Sequence, residues 1–551
     1  MTAPSRREQS RPQNDAVRAE PTGIGTGRAR DPLALEVRLL GSLLGQVIAE
    51  QAGRDLLDLV ERVRRTTIRL RRGDDPSLRA GLVAELATLE PARAEIVIRA
   101  FSLYFRLVNL AEERELVRTA RRHERERGGP RGAPDSSLGA AADWLRRSGA
   151  TEPEIATEID HLRITSVLTA HPTEARRRTV LIALRRVDRL LRRLADRDIA
   201  LAEDSDTRRR LREEITVLWR TADLRAVAVS PLDEVRTALA FFDETLFSVV
   251  PRLYRAADAA LDLASSATWR AEGRPTTAAA GESEATDAGR TGTRPPLASP
   301  FLRWESWIGG DRDGNPSVTA EITDRTLRIH ADHVLRGYEA VAGRLSQTIA
   351  AATPPERVSR SLVTRLARDA ELLPDLDRQL RRRFPDEPYR QRFGFIAERL
   401  RRTRAHLTGQ AAPLTGRYGD AAELDAELAE VQEALAADGL ERVAWGEVAD
   451  LRWQLATFGF HLAALEVRQH SAAHRATEAA IAAGDETRDV VPGVSGAEVL
   501  ETLRTIAALQ VRFGPEAAGR YVISFTAEPG DVTRLLRLAA SGDPAPVLDV
   551  V

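Results

Sequence analysis

Five short segments with strand character are separated by much longer stretches with helical periodicity. The segments are Ile164–Thr169, Leu302–Ile308, Leu462–Val467, Tyr521–Thr526 and Val547–Val551. Strands that alternate with helices pair in parallel, because each helix returns the chain to the same end of the sheet. Short buried strands joined in this way are typical of a TIM-type barrel, which needs about eight strands. The sequence therefore predicts a mostly α-helical fold with an α/β barrel, of which this chain supplies about five strands.

Polar, Gly- and Pro-containing segments divide the chain. Residues 1–30 contain few side chains that could offset the entropy cost of ordering them, which predicts a disordered tail. Residues 31–551 are predicted to form one helical and barrel-containing region. Within this region, residues 123–138 and 271–299 are rich in small, charged or turn-forming residues and are predicted to be flexible.

Composition narrows the classes of function. The 81 basic and 82 acidic residues nearly cancel, which argues against a protein that wraps nucleic acid or adheres to anionic membranes. There is no Cys, so disulfides and thiolate chemistry are excluded. No apolar run is expected to reach the roughly 18 residues that span a bilayer, and the N-terminus lacks an apolar signal core. The sequence predicts a soluble cytoplasmic protein.

The first predicted strand runs into a polar motif that contains His171. Barrel enzymes place their chemistry at the carboxyl ends of strands. Pro172 favours the first helical turn, so His171 would lie at a helix N-terminus, where the dipole resists protonation of the imidazole. A neutral His can act as a general base. A lone His-Pro pair, however, is more often a simple helix cap.

The second and third strands lead to Arg312 and Arg468. Paired glycines before Arg312 allow close backbone approach to a ligand, and Arg forks suit phosphate or carboxylate. A solvated Asp-Gly turn and an Arg paired with a buried acid are the simpler alternatives. A calcium loop through Asp311, Asp313 and Asn315 is rejected, because the terminal Glu of an EF-hand is missing. Together these residues predict a site for a small anion that uses a neutral His and Arg forks.

The three motifs together resemble the phosphoenolpyruvate carboxylase family. The matching stretches are Val167–Glu174 with Arg177 and Arg178, Trp307–Pro316, and Phe458–Leu462 with Val467–Gln469. The resemblance implies that phosphoenolpyruvate and bicarbonate give oxaloacetate and phosphate by way of carboxyphosphate and an enolate, with Mg²⁺ or Mn²⁺. This anaplerotic reaction feeds the tricarboxylic acid cycle. The resemblance also implies a homotetramer.

The resemblance assigns roles to four residues. His171 corresponds to the catalytic histidine, a general base that takes the carboxyphosphate proton. Arg177 corresponds to a position linked to bicarbonate handling. Arg312 and Arg468 correspond to active-site arginines that hold anionic groups.

The family's later segments are missing from this sequence. In the family, the strand resembling Val547–Val551 continues into a metal-ligand Glu, followed by a metal-ligand Asp, a catalytic Lys and a phosphate-binding loop. No metal ligand is therefore assigned to this chain. We expect the isolated chain to be inactive and poorly soluble, because its last strand has an unpaired edge. The alternatives are one subunit of a split carboxylase, a non-enzymatic helical scaffold, or a different enolpyruvate-handling barrel enzyme.

Overall fold

The structure is a computed structural model. It describes residues 31–126, 137–169, 178–196, 198–222, 230–271, 289–352 and 358–551, so the predicted tail lies outside the described residues. The chain divides into two compact units. One contains Met1–Gly132 and Ala175–Val227, and the other contains Ala133–Glu174 and Ala228–Val551.

The described part of the first unit is helical. With numbering along the whole chain, its helices are α1 (Pro32–Ala52), α2 (Arg54–Arg72), α3 (Pro76–Ala87), α4 (Pro91–Glu126), α7 (Arg178–Leu194) and α8 (Leu201–Arg220). Asp31 caps α1, because its carboxylate accepts a hydrogen bond from the amide of Ala34. Residues at helical spacing, among them Leu43, Val47 and Val187, form one buried cluster. Burial of these faces stabilises the bundle.

Helix α1 differs from the sequence prediction, because it is long and apolar enough to cross a membrane by length and composition. Its apolar face instead packs within the first unit, where Leu39 and Leu43 are fully buried. Glu36 on the same helix is also buried, and its carboxylate lies 3.2 Å from Arg114 and 2.5 Å from Arg118. The apolar composition of α1 is therefore explained by its burial in the core of the first unit.

The second unit combines many helices with short strands. Its helices are α5 (Leu138–Arg147), α6 (Glu152–His161), α9 (Pro231–Phe241), α10 (Phe247–Ala271), α11 (Ala320–Thr348), α12 (Arg360–Leu372), α13 (Pro374–Arg383), α14 (Pro388–Leu407), α15 (Ala421–Ala437), α16 (Glu441–Val443), α17 (Ala449–Phe458), α18 (Ser471–Ala483), α19 (Gly496–Phe513) and α20 (Pro529–Ala540). π-Helical turns cover Phe242–Leu246 and Ala444–Val448, and a 3₁₀ turn covers Pro515–Ala518. Helices α11 and α14 pack along one another, and Tyr338, Phe393 and Ile396 are fully buried in the main core.

The strands of the second unit form two parallel sheets and one hairpin. They are β1 (Ile164–Leu168), β2 (Leu302–Ser306), β3 (Ala464–Leu465), β4 (Val467–His470), β5 (Asp489–Val491), β6 (Val494–Ser495), β7 (Arg520–Ser524) and β8 (Asp549–Val550). One sheet has the order β1-β2-β3 and the other β4-β7-β8, and β5 pairs with β6 in an antiparallel hairpin. Only Glu466 interrupts β3 and β4, and its amide donates to the carbonyl of Ser306 at 3.0 Å. Five parallel strand paths therefore lie side by side.

The mostly helical fold and the predicted number of parallel strands agree with the structure, whereas a TIM-type barrel is not shown by it. Among the described residues, β1 pairs only with β2 and β8 pairs only with β7, so no closed barrel is formed. Closure needs about eight strands. The third strand also starts later than predicted, because Leu462 has φ +64°, a left-handed conformation that does not fit a strand. The hairpin turn at Pro492–Gly493 was not predicted, although Pro-Gly is a turn signal.

The segments predicted to be flexible are only partly described. Residues 123–126 belong to α4, and residues 127–136 and 272–288 lie outside the described residues. Residues 289–299 are fixed at Asp258, a fully buried residue of α10. The Asp258 carboxylate accepts hydrogen bonds from the amide of Leu297 at 2.6 Å and from Arg294 Nη1 at 3.1 Å. A buried acid thus holds the end of this segment against α10.

Candidate functional site

Main-chain hydrogen bonds bring the sequence motifs together at the carboxyl ends of β1, β2 and β4. The amide of Trp307 donates to the carbonyl of Leu168 at 2.8 Å, where β1 and β2 end. The amide of Arg468 donates to Gly310 at 3.0 Å, and the amide of Arg312 donates to the carbonyl of Arg468 at 2.9 Å. The second and third motifs are therefore joined, and the first motif begins beside them.

The loop that follows β2 contains Gly309 and Gly310. It can pack against its neighbours only because neither residue has a Cβ. Gly309 has φ +87°, and a Cβ there would collide with the side chain of Thr326 on α11. At Gly310, a Cβ would overlap the main-chain oxygen of Glu466. We predicted from the sequence that these glycines allow a ligand to approach the backbone. In the structure they allow the loop to seat on α11 and on the junction of β3 and β4.

The guanidinium of Arg468 is held on three sides. Its Nη1 lies 3.1 Å from Asp311 Oδ2, and its Nη2 lies 2.8 Å from Asp313 Oδ2. Its centre lies 5.0 Å from the centroid of the Trp307 ring, a cation–π contact. Burial raises the pKa of Asp311, although Arg468 opposes that change. An anion that binds Arg468 must therefore either displace one of the two carboxylates or share the guanidinium with them.

Arg312 is turned into the protein. It is 4% exposed, and it donates from Nη1 to the carbonyl of Gly310 at 3.1 Å and from Nη2 to Thr323 Oγ1 at 2.6 Å. Its Nε has no hydrogen-bond partner among the described residues. Burial lowers its pKa to about 10, so the side chain still carries a charge at neutral pH. The observed contacts of Arg312 brace the motif loop from beneath.

A second charged group, the Glu305–Glu466–Arg520 cluster, lies across β2, the β3–β4 junction and β7. Arg520 Nη1 is 2.7 Å from Glu305 Oε2 and 3.3 Å from Glu466 Oε1, and Arg520 Nε is 3.2 Å from Asp549 Oδ2. The indole of Trp307 donates to Glu466. Burial, followed by the neighbouring Glu466 carboxyl, raises the pKa of Glu305 to about 7. The cluster therefore supports the ring on which Arg468 lies.

Sequence reasoning missed Glu305 and Arg520. Glu305 stands two residues before Trp307, so strand alternation places both on one face of the sheet. An acid at a buried strand position requires a partner. The acid within the predicted strand Leu302–Ile308 was therefore the signal that could have identified Glu305. Arg520 directly precedes the predicted strand Tyr521–Thr526 and was therefore not considered.

Two predicted site residues cannot be placed. His171 and Arg177 lie within residues 170–177, outside the described residues. Nor does the described part of the chain contain a group of three or more His, Asp or Glu side chains that could hold a metal ion. Asp311 and Asp313 are close together, but both are paired with Arg468. The described residues therefore do not fit a divalent-cation site.

Comparison with known proteins agrees with the motifs. The family model for phosphoenolpyruvate carboxylase matches residues 33–490. A phosphoenolpyruvate carboxylase of Roseiflexus castenholzii is 34% identical over 544 residues, which cover 92% of this chain and 55% of the relative. One from Aromatoleum aromaticum is 32% identical over 512 residues, which cover 90% of this chain and 52% of the relative. The chain spans about half the length of the curated relatives it matches, and it belongs to the phosphoenolpyruvate carboxylase family.

Proposed function

We propose that this chain supplies the histidine and arginine part of a phosphoenolpyruvate carboxylase site. The main support is the meeting of three motifs at one sheet edge, where Trp307 is bonded to Leu168 and lies against Arg468. His171 follows Leu168 by three residues in the sequence. This arrangement would bring a proton acceptor and a fixed positive charge to the same ligand.

In the proposed reaction, a bicarbonate oxygen attacks the phosphorus of phosphoenolpyruvate, and the bond to the enolate oxygen breaks. His171 takes the proton of the resulting carboxyphosphate as general base, and carboxyphosphate then splits into CO₂ and phosphate. The enolate carbon attacks CO₂ and gives oxaloacetate. Arg177 and Arg468 would balance the charge of the anions. The contacts of Arg312 with its own loop favour a positioning role for that residue.

We further propose that a second polypeptide segment pairs with the outer strands and completes the site. Exposed apolar residues lie on or beside these strands, namely Ile164 and Val167 in β1 and Val547 and Val551 around β8. A strand whose outer edge is unpaired tends to bind another strand or to aggregate. The segment would carry the ligands for Mg²⁺ or Mn²⁺, which the described residues do not supply. Without it, the chain would be inactive and poorly soluble. We also propose a cytoplasmic homotetramer for the completed protein.

A complementation assay tests this proposal. The 551-residue chain is mixed with the unmatched C-terminal part of the Roseiflexus castenholzii relative, and oxaloacetate is measured with a coupled dehydrogenase. We expect no turnover from the chain alone and turnover from the mixture. His171→Asn should lower the rate of the mixture by about 10²–10⁴-fold, the usual contribution of a general base. His161→Asn, a change at an exposed position of α6, is the matched control.

Two results would contradict the proposal. The first is robust turnover by the chain alone. The second is an assembled mixture, shown by co-elution in gel filtration, in which His171→Asn is as active as the unmodified chain. An assembled mixture with no activity under any metal condition would instead support the non-enzymatic scaffold.

A further inference from the structure

The first unit contains a cavity of about 300 Å³ between α1, α2 and α4. Its floor is apolar and is formed by buried side chains, including Leu44, Ile48, Leu57 and Val60. Its rim carries charged and polar groups, namely Arg38, Glu61, Arg64, Arg65 and Tyr104. None of these residues belongs to the site proposed above. A concave apolar site with a few polar groups on one side is the usual form of a small-molecule site.

Two glycines one turn apart on α1, Gly41 and Gly45, line the cavity. A Cβ at Gly41 would lie 3.8 Å from Tyr104 Cε2, and a Cβ at Gly45 would lie 3.7 Å from Leu57 Cδ1. Both are ordinary van der Waals distances, so an alanine would fit at either position. A glycine inside a helix costs about 0.5–1 kcal/mol relative to alanine. The space is thus maintained at a cost in helix stability.

The rim has an excess of positive charge. Arg64 Nη2 lies 2.8 Å from Glu61 Oε2, and Arg65 Nε lies 3.6 Å from the same oxygen. Arg64 also donates from Nε to Glu61 Oε1 at 3.0 Å, so its fork is occupied by this carboxylate, whereas Arg65 has only the longer contact. Arg38 forms no ion pair with any residue that the structure describes, and its side chain is exposed. Three cations against one anion leave two positive charges at the mouth of an apolar space.

We propose that this cavity binds a medium-chain carboxylate, with its hydrocarbon chain on the apolar floor and its head group on Arg38 and Arg65. A methylene group takes about the same volume as a water molecule, roughly 30 Å³, so the cavity holds a chain of about ten carbons. Arg forks match the two oxygens of a carboxylate. The apolar floor offers no partners to the hydroxyl groups of a sugar phosphate, whose burial would be unfavourable.

Isothermal titration of decanoate into the 551-residue chain tests the proposal. We expect saturable binding of one decanoate, with affinity that falls as salt is added. Arg38→Gln should weaken binding about fivefold to tenfold, since a charge-assisted hydrogen bond is lost. The double change Gly41→Ala with Gly45→Ala should weaken it more than tenfold, because two methyl groups occupy the cavity. Gly81→Ala on α3, where a Cβ meets nothing within 4 Å, is the control for the gain in helix propensity.

Decan-1-ol separates the two parts of the proposal, because it keeps the chain and lacks the charge. Equal affinity for decan-1-ol and decanoate would overturn the role of the arginines. Non-saturable uptake, or uptake that the double glycine variant leaves unchanged, would show adsorption elsewhere on the chain and overturn the site. Thermal melts of each variant establish that it is folded, so lost binding is not mistaken for lost structure.

Discussion

The guanidinium of Arg520 on β7 and the carboxylate of Glu305 on β2 are 2.7 Å apart, and the same nitrogen lies 3.3 Å from Glu466. Both Glu side chains are largely removed from water, at 13% and 5% exposure, and one cation serves two acids. Burial and the neighbouring acid therefore raise the pKa of Glu305 from its ordinary value of 4.5 to about 7.

Glu305→Gln should change how stability depends on pH. The folded state of the unmodified chain holds a proton on Glu305 between about pH 4.5 and 7, where the unfolded state has lost it. The stability from this group is therefore present below pH 4.5 and is lost as pH rises towards 7. The variant lacks this loss, so its stability relative to the unmodified chain should rise by about 2 kcal/mol from pH 4.5 to pH 8.

Urea unfolding followed by circular dichroism at several pH values measures this difference. Glu433→Gln, at an exposed position of α15, is the control and should give a constant offset. Parallel pH curves for Glu305→Gln and the unmodified chain would contradict a proton held on Glu305.

Arg468→Gln should destabilise the motif loop. The change leaves the carboxylates of Asp311 and Asp313 without the cation that they share. We expect a loss of about 1–2 kcal/mol at pH 8, a modest value because Arg468 is 25% exposed and partly screened by water. The loss should be smaller at pH 5, because the pKa of Asp311 is already raised by burial and would rise further without Arg468. Equal losses at both pH values in urea unfolding would show that Asp311 takes up no proton at pH 5 when Arg468 is removed.

Gly310→Ala should be far more damaging than Gly314→Ala. A Cβ at Gly310 meets the main-chain oxygen of Glu466, which cannot move without disturbing the main-chain hydrogen bonds of the β3–β4 junction to Ser306 and Gly310. A Cβ at Gly314 meets nothing within 4 Å, although φ there is +72°. We expect a cost above about 3 kcal/mol for the first change and about 1 kcal/mol for the second. Thermal unfolding measures both, and similar midpoints would refute the proposed fit of the loop.

Asp258→Asn should loosen residues 289–299. Oδ1 of Asp258 accepts from Arg294 and from the amide of Leu297, and Oδ2 lies a further 3.3 Å from Arg294. Asparagine keeps one accepting oxygen but loses the negative charge and the second oxygen that hold Arg294. Trypsin should then cut after Arg290 or Arg294 several times faster, which mass spectrometry of timed digests can follow. Asp262→Asn is the control, because Asp262 is more exposed and lies 3.4 Å from Arg294. Equal cleavage rates for both variants would show that contacts other than those of Asp258 hold this segment in place.

The strands that sequence predicted best are those whose pattern is local. Ile164–Leu168 and Leu302–Ser306 are followed in the sequence by Pro- or Gly-containing segments, so composition alone indicates where they end. The bounds of the strands between Leu462 and His470 were predicted less accurately. Their start depends on the positive φ of Leu462, and the break between them depends on the contact of Glu466 with Ser306. Neither feature is visible in the residues themselves.

The residues of the candidate site were likewise only partly predictable from the sequence. Arg312 and Arg468 could be selected from the sequence because each follows a predicted strand, but their partners could not. Arg468 faces Asp311 and Asp313 only because its main chain bridges to a loop about 155 residues earlier. Likewise, the burial of Arg312 beside Thr323 depends on where α11 packs. Sequence identified candidate groups, and long-range packing decided which of them are free to meet a ligand.

The hydrogen bond between Trp307 and Leu168 joins two main-chain atoms. No side chain takes part, so substitutions around either residue leave this bond available. The side chains of Leu168 and Trp307 can therefore change while the spacing between the ends of β1 and β2 is retained. A lineage that keeps Gly309 and Gly310 can diverge at these two positions without losing the alignment of the motifs.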